Sequence, residues 1–95
     1  MAAYVIADIE VTDPVTYEDY KKATPGSIAA FGGKFIVRGG VADVLEGEWK
    51  PNRIVVIEFE NITQARSWYE SPGYQKPKAL RQSASRGSLI LVDGV

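Results

Sequence analysis

Apolar and polar residues alternate from residue 3 to residue 11. Ala3, Val5, Ala7, Ile9 and Val11 share one face, while Tyr4, Ile6, Asp8 and Glu10 share the other. A period of two predicts a β-strand whose second face begins apolar and ends acidic. The period then changes. Tyr17, Tyr20, Thr24, Ile28 and Phe31 follow at steps of 3, 4, 4 and 3, which is one stripe of a helix. Asp13 is placed to cap that helix, and Pro14 to fill its first position. Pro25 lacks a backbone donor, so a kink or break is expected there. Gly32-Gly33 ends the helix. Alternation returns over residues 34–38, stops at Gly39-Gly40 and resumes over residues 41–46. A glycine pair inside a strand marks a bulge or a close backbone approach.

Residues 47–52, with Trp49 and Pro51, predict a turn. Trp49 is expected to be exposed in a single copy and to pack against a partner. Residues 53–59, Arg-Ile-Val-Val-Ile-Glu-Phe, are apolar on both faces at their centre, as a strand covered on both sides must be. Asn61 then caps a second helix, with Gln64 as its capping-box partner and Ile62, Ala65 and Tyr69 facing inward. Ser71-Pro72-Gly73 stops it. Residues 74–86 predict a short helix or an irregular segment broken at Pro77. Their basic residues, Lys76, Lys78, Arg81 and Arg86, have no acidic residue among them. The last strand is expected over residues 88–92.

The order strand, helix, strand, strand, helix, strand predicts an α+β, ferredoxin-like βαββαβ domain over residues 1–95, with a four-stranded antiparallel sheet. The first and third strands belong in its centre. Two helices cover one face. The other face keeps apolar residues on every strand, so a second copy of the sheet is the economical cover, giving a homodimer joined through the sheet.

Composition narrows the chemistry. A net charge of -1 argues against nucleic-acid binding. With no cysteine and no histidine, the chain has no disulfide, no thiol nucleophile, no histidine base and no usual haem or zinc ligand. No cofactor is expected. Ser67, Ser71 and Ser83 have no histidine to activate them. Asp8 and Glu10 with Asp43 or Glu46 lack calcium-loop spacing, so no metal site is expected. No apolar run approaches a membrane span, and the N-terminus lacks a basic signal-peptide region. A soluble, cytoplasmic protein without membrane partners is the default expectation.

The candidate site residues are Arg38, Glu58, Tyr74 and Arg81. Arg38 ends the second strand and Glu58 lies near the end of the third, so hairpin pairing would bring them together. One reading is a cleft in which Arg38 holds an anionic ligand and Glu58 acts as acid or base. The other is an ion pair that neutralises two charges. Tyr17 and Tyr20 fall on the inner stripe of the first helix and are assigned to packing. Tyr74 follows a helix stop beside the basic segment and is assigned to a cleft. Of the four basic residues, Arg81 directly follows apolar Leu80.

Several stretches together resemble a known family. Tyr4-Val-Ile-Ala, Asp13-Pro14, Gly32-Gly33, Arg38-Gly39-Gly40, Leu45-Glu46-Gly47, Arg53 to Phe59, Ser71-Pro72-Gly73-Tyr74, Ala79-Leu80-Arg81 and Val92-Asp93-Gly94 resemble the bacterial Domain of Unknown Function 1330 family. The resemblance spans nearly the whole chain. It implies a dimeric α+β barrel of ferredoxin-like subunits, and Arg81 is the arginine that matches its pattern. It implies no activity. Similar folds host cofactor-free monooxygenases, lactone isomerases, haem enzymes and ligand-sensing domains, so fold alone does not choose among them. A small-molecule site between sheet and helices is the leading expectation. A cofactor-independent monooxygenase or isomerase and a non-catalytic interaction or sensing module are the alternatives.

Overall fold

A computed structural model describes residues 1–95. The elements are β1 (Ala3–Val11), α1 (Pro14–Ala29), β2 (Lys34–Arg38), β3 (Arg53–Phe59), α2 (Ile62–Glu70), α3 (Pro72–Ala84) and β4 (Ser85–Asp93). The sheet order is β2-β3-β1-β4 and every pair is antiparallel. β1 and β3 are central, so the α+β, ferredoxin-like expectation holds, with three helices in place of two. No helix is long and apolar enough to cross a membrane.

One face of the sheet carries the core. Ala3, Val5, Ala7 and Ile9 of β1 and Ile57 and Phe59 of β3 are buried against Tyr17 and Ile28 of α1, Trp68 of α2 and Tyr74 of α3. The alternate residues form the opposite face, which no helix covers and which the chain reaches only with the loop around Trp49, hydrogen-bonded to Asp8. Ile6 there lies opposite Ile90, and Tyr4 opposite Val92.

α1 starts as the sequence predicts. Asp13 accepts hydrogen bonds from the Thr16 N–H (3.2 Å) and the Thr16 hydroxyl (2.7 Å), and the helix runs unbroken through Pro25. Side chains bond to carbonyls of the turns around the proline: the Thr24 hydroxyl donates to the Tyr20 carbonyl, and the Ser27 hydroxyl to the Thr24 carbonyl, both at 2.7 Å. Pro25 has no N–H to offer the Lys21 carbonyl four residues back. Arg38 Nη2 approaches that carbonyl at 3.4 Å instead, at the long limit of a hydrogen bond. The capping box of α2 is half formed. Asn61 accepts from the Gln64 N–H at 2.8 Å, but the Gln64 side chain donates to the Phe31 carbonyl rather than back to the cap.

The largest departure is α3. The segment expected to break at Pro77 is a continuous helix over Pro72–Ala84, and the expected stop at residues 71–73 is a one-residue joint at Ser71. Tyr74, Pro77, Arg81 and Ala84 are all buried. They recur at helical spacing on one face, and burial of that face offsets the lost backbone bond. The expected strand over residues 41–46 is absent. β2 ends at Arg38, and the chain leaves the sheet with Gly39 at φ 72°. The bulge also lies elsewhere, between Phe35 and Val37 of β2. β4 begins three residues before the predicted start, because its first residues are polar and gave no alternation. Gly87 is required there: a Cβ would fall 3.1 Å from the Asp8 carbonyl carbon and closer to its oxygen.

Candidate functional site

The space between the sheet and α1 holds a partly open cavity of about 30 Å³, room for about two water molecules. Its walls include Val55, Ile57, Leu89, Phe35 and Trp68. Four cations line it as well: Lys21, Arg38, Arg53 and Arg81. No carboxylate does. The ion pairs of the chain are Lys21–Glu18, Lys34–Glu58 and Arg86–Glu10. Lys21 therefore has a surface partner, whereas the three arginines of the cavity have none.

Arg81 comes from the inner face of α3 and is 8% exposed. Its Nε and that of Arg53 are buried without a hydrogen-bond partner. Burial by itself lowers the pKa of the Arg81 guanidinium, but interaction with Tyr74, Tyr20 and Tyr69 outweighs it and holds the pKa above the ordinary value. Arg81 thus stays charged although it is buried and unpaired, an expensive arrangement for a chain to keep.

Arg53 begins β3, on the same face as Val55, Ile57 and Phe59. Its guanidinium carbon lies 5.9 Å from the Tyr17 ring centre, and its tip rests against Gly39. A Cβ at residue 39 would fall 2.7 Å from the guanidinium carbon and closer to Nη1. Gly39 is therefore favoured for its positive φ, and the Arg53 guanidinium occupies the space its missing Cβ leaves. Arg38 stacks on Phe35, with its guanidinium carbon 4.4 Å from the ring centre, and is exposed at the rim.

Tyr20 on α1 lines the cavity, and its hydroxyl lies 2.9 Å from that of Tyr74. Burial first, and then the Tyr74 neighbour, push the Tyr20 phenol far above its usual pKa. Tyr20 is therefore a neutral hydrogen-bonding group at any physiological pH. Tyr74 is fully buried and stacks on Trp68 with ring centres 4.2 Å apart. It does not line the cavity but reaches it through Tyr20.

The structure brings Arg38, Arg81 and, at one remove, Tyr74 to a common cleft. It does not bring Glu58 there. The expected Arg38–Glu58 contact does not form, because Arg38 pairs in register with Val55 and Glu58 with Lys34. Glu58 lies on the uncovered sheet face, opposite Tyr4 and 3.3 Å from Lys34 Nζ. Strand alternation puts an even residue of β3 on that face, and the β2 bulge shifts Arg38 to the other. The basic segment also diverges. Lys78 lies over the Tyr69 ring at 4.7 Å, and Arg86 donates to Glu10. Only Arg81 turns inward.

Arg53 and Tyr20 are the cleft residues that sequence reasoning missed. Arg53 was legible, since it shares the phase of Val55, Ile57 and Phe59 and so is a cation on a core-facing row.

The profile of the family described as a domain of unknown function, DUF1330, matches residues 2–95. The chain belongs to the DUF1330 family. No curated protein matches its sequence. Among solved structures, this DUF1330 chain is similar to a protein of unknown function from Rhodopseudomonas palustris, at 16% identity and a TM-score of 0.80, covering 99% of this chain and 82% of that one. It is also similar to SnoaB, a cofactor-independent oxygenase from Streptomyces nogalater, at 18% identity and a TM-score of 0.62, covering 99% and 92%. A third is a dimeric ferredoxin-like protein of unknown function from Thermobifida fusca, at 17% identity and a TM-score of 0.66, covering 99% and 92%. At these identities the likeness extends to the fold alone.

Proposed function

We propose that this DUF1330 protein binds a small polar or anionic molecule in the cleft between the sheet and α1 and α3, and does so as a homodimer joined through the uncovered sheet face. The observation that carries the reading is the cavity lined by arginines without a carboxylate among them. Arg81 and Arg38 are the ligand-binding side chains from the inner wall and the rim. Tyr74 contributes by fixing the Tyr20 hydroxyl. The dimer is supported by the apolar residues of the open face and by the dimeric assembly of the Thermobifida fusca protein.

A fragment screen by thermal shift, with hits mapped by NMR, tests the cleft. Hits are expected to perturb Tyr20, Leu89 and Arg81 signals together. Hits that perturb only Tyr4, Ile6 and Glu58, or a screen of neutral and charged fragments with no hit, sink the reading.

A second reading is a cofactor-independent oxygenase, favoured by the fold shared with SnoaB. Glu58 is then not its base, since it faces away from the cleft. The reaction would need a substrate that ionises readily beside the arginines. Oxygen uptake with electron-rich phenols above the protein-free rate, lost in Arg81→Met, is the expected result; uptake equal to background removes this reading.

A further inference from the structure

Arg53 and Arg81 come from opposite layers of the molecule, one from the sheet and one from α3. Both line the same cavity. Each has a buried Nε–H with no acceptor, and neither takes part in an ion pair. A buried arginine kept for structure is ordinarily satisfied by a carboxylate or by carbonyls. Here two arginine side chains line one small space, and each keeps a buried Nε–H that no group of the chain accepts.

We propose that Arg53 and Arg81 form a receptor for a carboxylate, so that the ligand is a small organic monoanion with a flat or apolar body. This rests on the reading that the cleft holds a small molecule, and adds its chemical class and its two anchoring residues. Three features select a carboxylate. A guanidinium presents its donors in a planar fork that matches two carboxylate oxygens. The space of about 30 Å³ is the scale of a planar headgroup of a few atoms. The walls beside the arginines are apolar and aromatic (Val55, Ile57, Phe35, Trp68), which suits a hydrocarbon or ring behind the headgroup. Tyr20 adds a neutral hydroxyl to the same space. Arg38, which has no carboxylate partner, gives the rim a cation that favours anions on the way in.

Arg53 lies where any larger residue at position 39 would displace it. Arg81 remains cationic despite burial, since a guanidinium keeps its proton in a protein and this one is held above its ordinary pKa.

The test uses the whole chain with benzoate, its neutral isostere benzamide, and inorganic phosphate, all at matched chloride. Calorimetry is expected to show benzoate binding, with benzamide and phosphate at least about tenfold weaker, the size of one lost charge-assisted hydrogen bond. In NMR spectra the Nε–H protons of Arg53 and Arg81 are expected to move downfield with benzoate. Arg53→Met is expected to weaken benzoate about tenfold. Arg81→Lys, which keeps the buried charge, serves as the second variant and is expected to weaken it comparably by removing the fork. Benzamide binding as tightly as benzoate overturns the carboxylate assignment while leaving a small-molecule cleft intact. Phosphate binding more tightly overturns it too, as does benzoate binding with both Nε–H signals unmoved or with both variants unaffected. If no anionic or neutral probe binds, the assignment and the cleft reading fall together.

Discussion

Tyr20 is the residue on which the acid–base behaviour of the cleft turns. Its phenol is held neutral by burial and by the 2.9 Å contact with the Tyr74 hydroxyl. In the unfolded chain it ionises near the ordinary value of about 10. Its folded pKa is raised, so its contribution to stability is complete below pH ~10 and is lost as pH rises beyond that. Wild-type protein should therefore lose melting temperature steeply above pH ~10, and Tyr20→Phe should flatten that slope. At pH 7 the same variant should cost about 1 kcal/mol in urea denaturation, for one hydrogen bond. Identical alkaline slopes in the two proteins would show that the buried phenol does not govern the transition. Glu58 gives the contrasting case. Its partner Lys34 is exposed on an edge strand, and such pairs contribute about 0–1 kcal/mol. Glu58→Gln should leave stability within that range and leave benzoate binding unchanged. A loss of binding would return Glu58 to the site. These residues also mark how far the site was legible. Arg38 and Arg81 could be singled out because each is a cation beside apolar neighbours. Glu58 misled because a register in β2 cannot be read through a bulge. Tyr20 looked like packing because a helical stripe does not reveal which of its members border empty space.

Among the elements, the segment between β2 and β3 behaves unlike the rest. Val41 is 99% exposed, Leu45 93% and Trp49 64%. The alternation of residues 41–46 therefore had an apolar pattern but no strand to pair with, which is why it suggested a strand that does not form. A pattern identifies a face that wants cover, and only a neighbour with free backbone groups turns it into sheet. α3 is the converse. Pro77 argued against a helix, and the buried row of Tyr74, Pro77, Arg81 and Ala84 overrode the proline. The rest of the order was legible, since β1, β3 and α1 each bury one clean face. The loop is tied to the sheet chiefly through Asp8, which accepts from Trp49 Nε1 at 2.8 Å and from the Asn52 N–H at 2.9 Å. Asp8→Ala should free the loop, so that chymotrypsin cuts after the exposed Trp49 several-fold faster than in wild type. Global stability should fall by no more than about 1 kcal/mol, since the bonds are exposed. An unchanged cutting rate would mean that contacts outside the Asp8 hydrogen bonds hold the loop. The Arg53 junction is stiffer. Gly39→Ala should destabilise by about 1–2 kcal/mol, because alanine resists a left-handed φ and its Cβ meets the guanidinium. It should also weaken benzoate by displacing Arg53. Chemical denaturation and calorimetry on the one variant separate the two effects.

At the scale of the whole molecule, the two faces of the sheet divide the work. One face is filled by three helices and holds the cleft. The other presents Ile90 at 55% exposure and Val92 at 38%, on a strand paired with Ile6 and Tyr4 of central β1. A single chain of this size leaves such a face in water at a cost that a second copy removes, because association buries the same apolar rows from both subunits. A two-fold arrangement brings each patch against its own copy. In the proposed sheet-to-sheet dimer, a lysine placed in the patch enters the interface twice and adds two like charges to a desolvated surface. Sedimentation equilibrium of the wild type at micromolar concentration should give twice the 10.4 kDa mass of the chain. Ile90→Lys should sediment as a single chain. Because Ile90 faces away from the cleft, that monomer should still bind benzoate through Arg53 and Arg81. If Ile90→Lys remains a dimer, the interface uses another surface, and the exposed apolar loop around Leu45 and Trp49 is the next to mutate. If it dissociates and loses benzoate as well, the cleft depends on the sheet staying flat against its partner, and the two faces are coupled rather than independent.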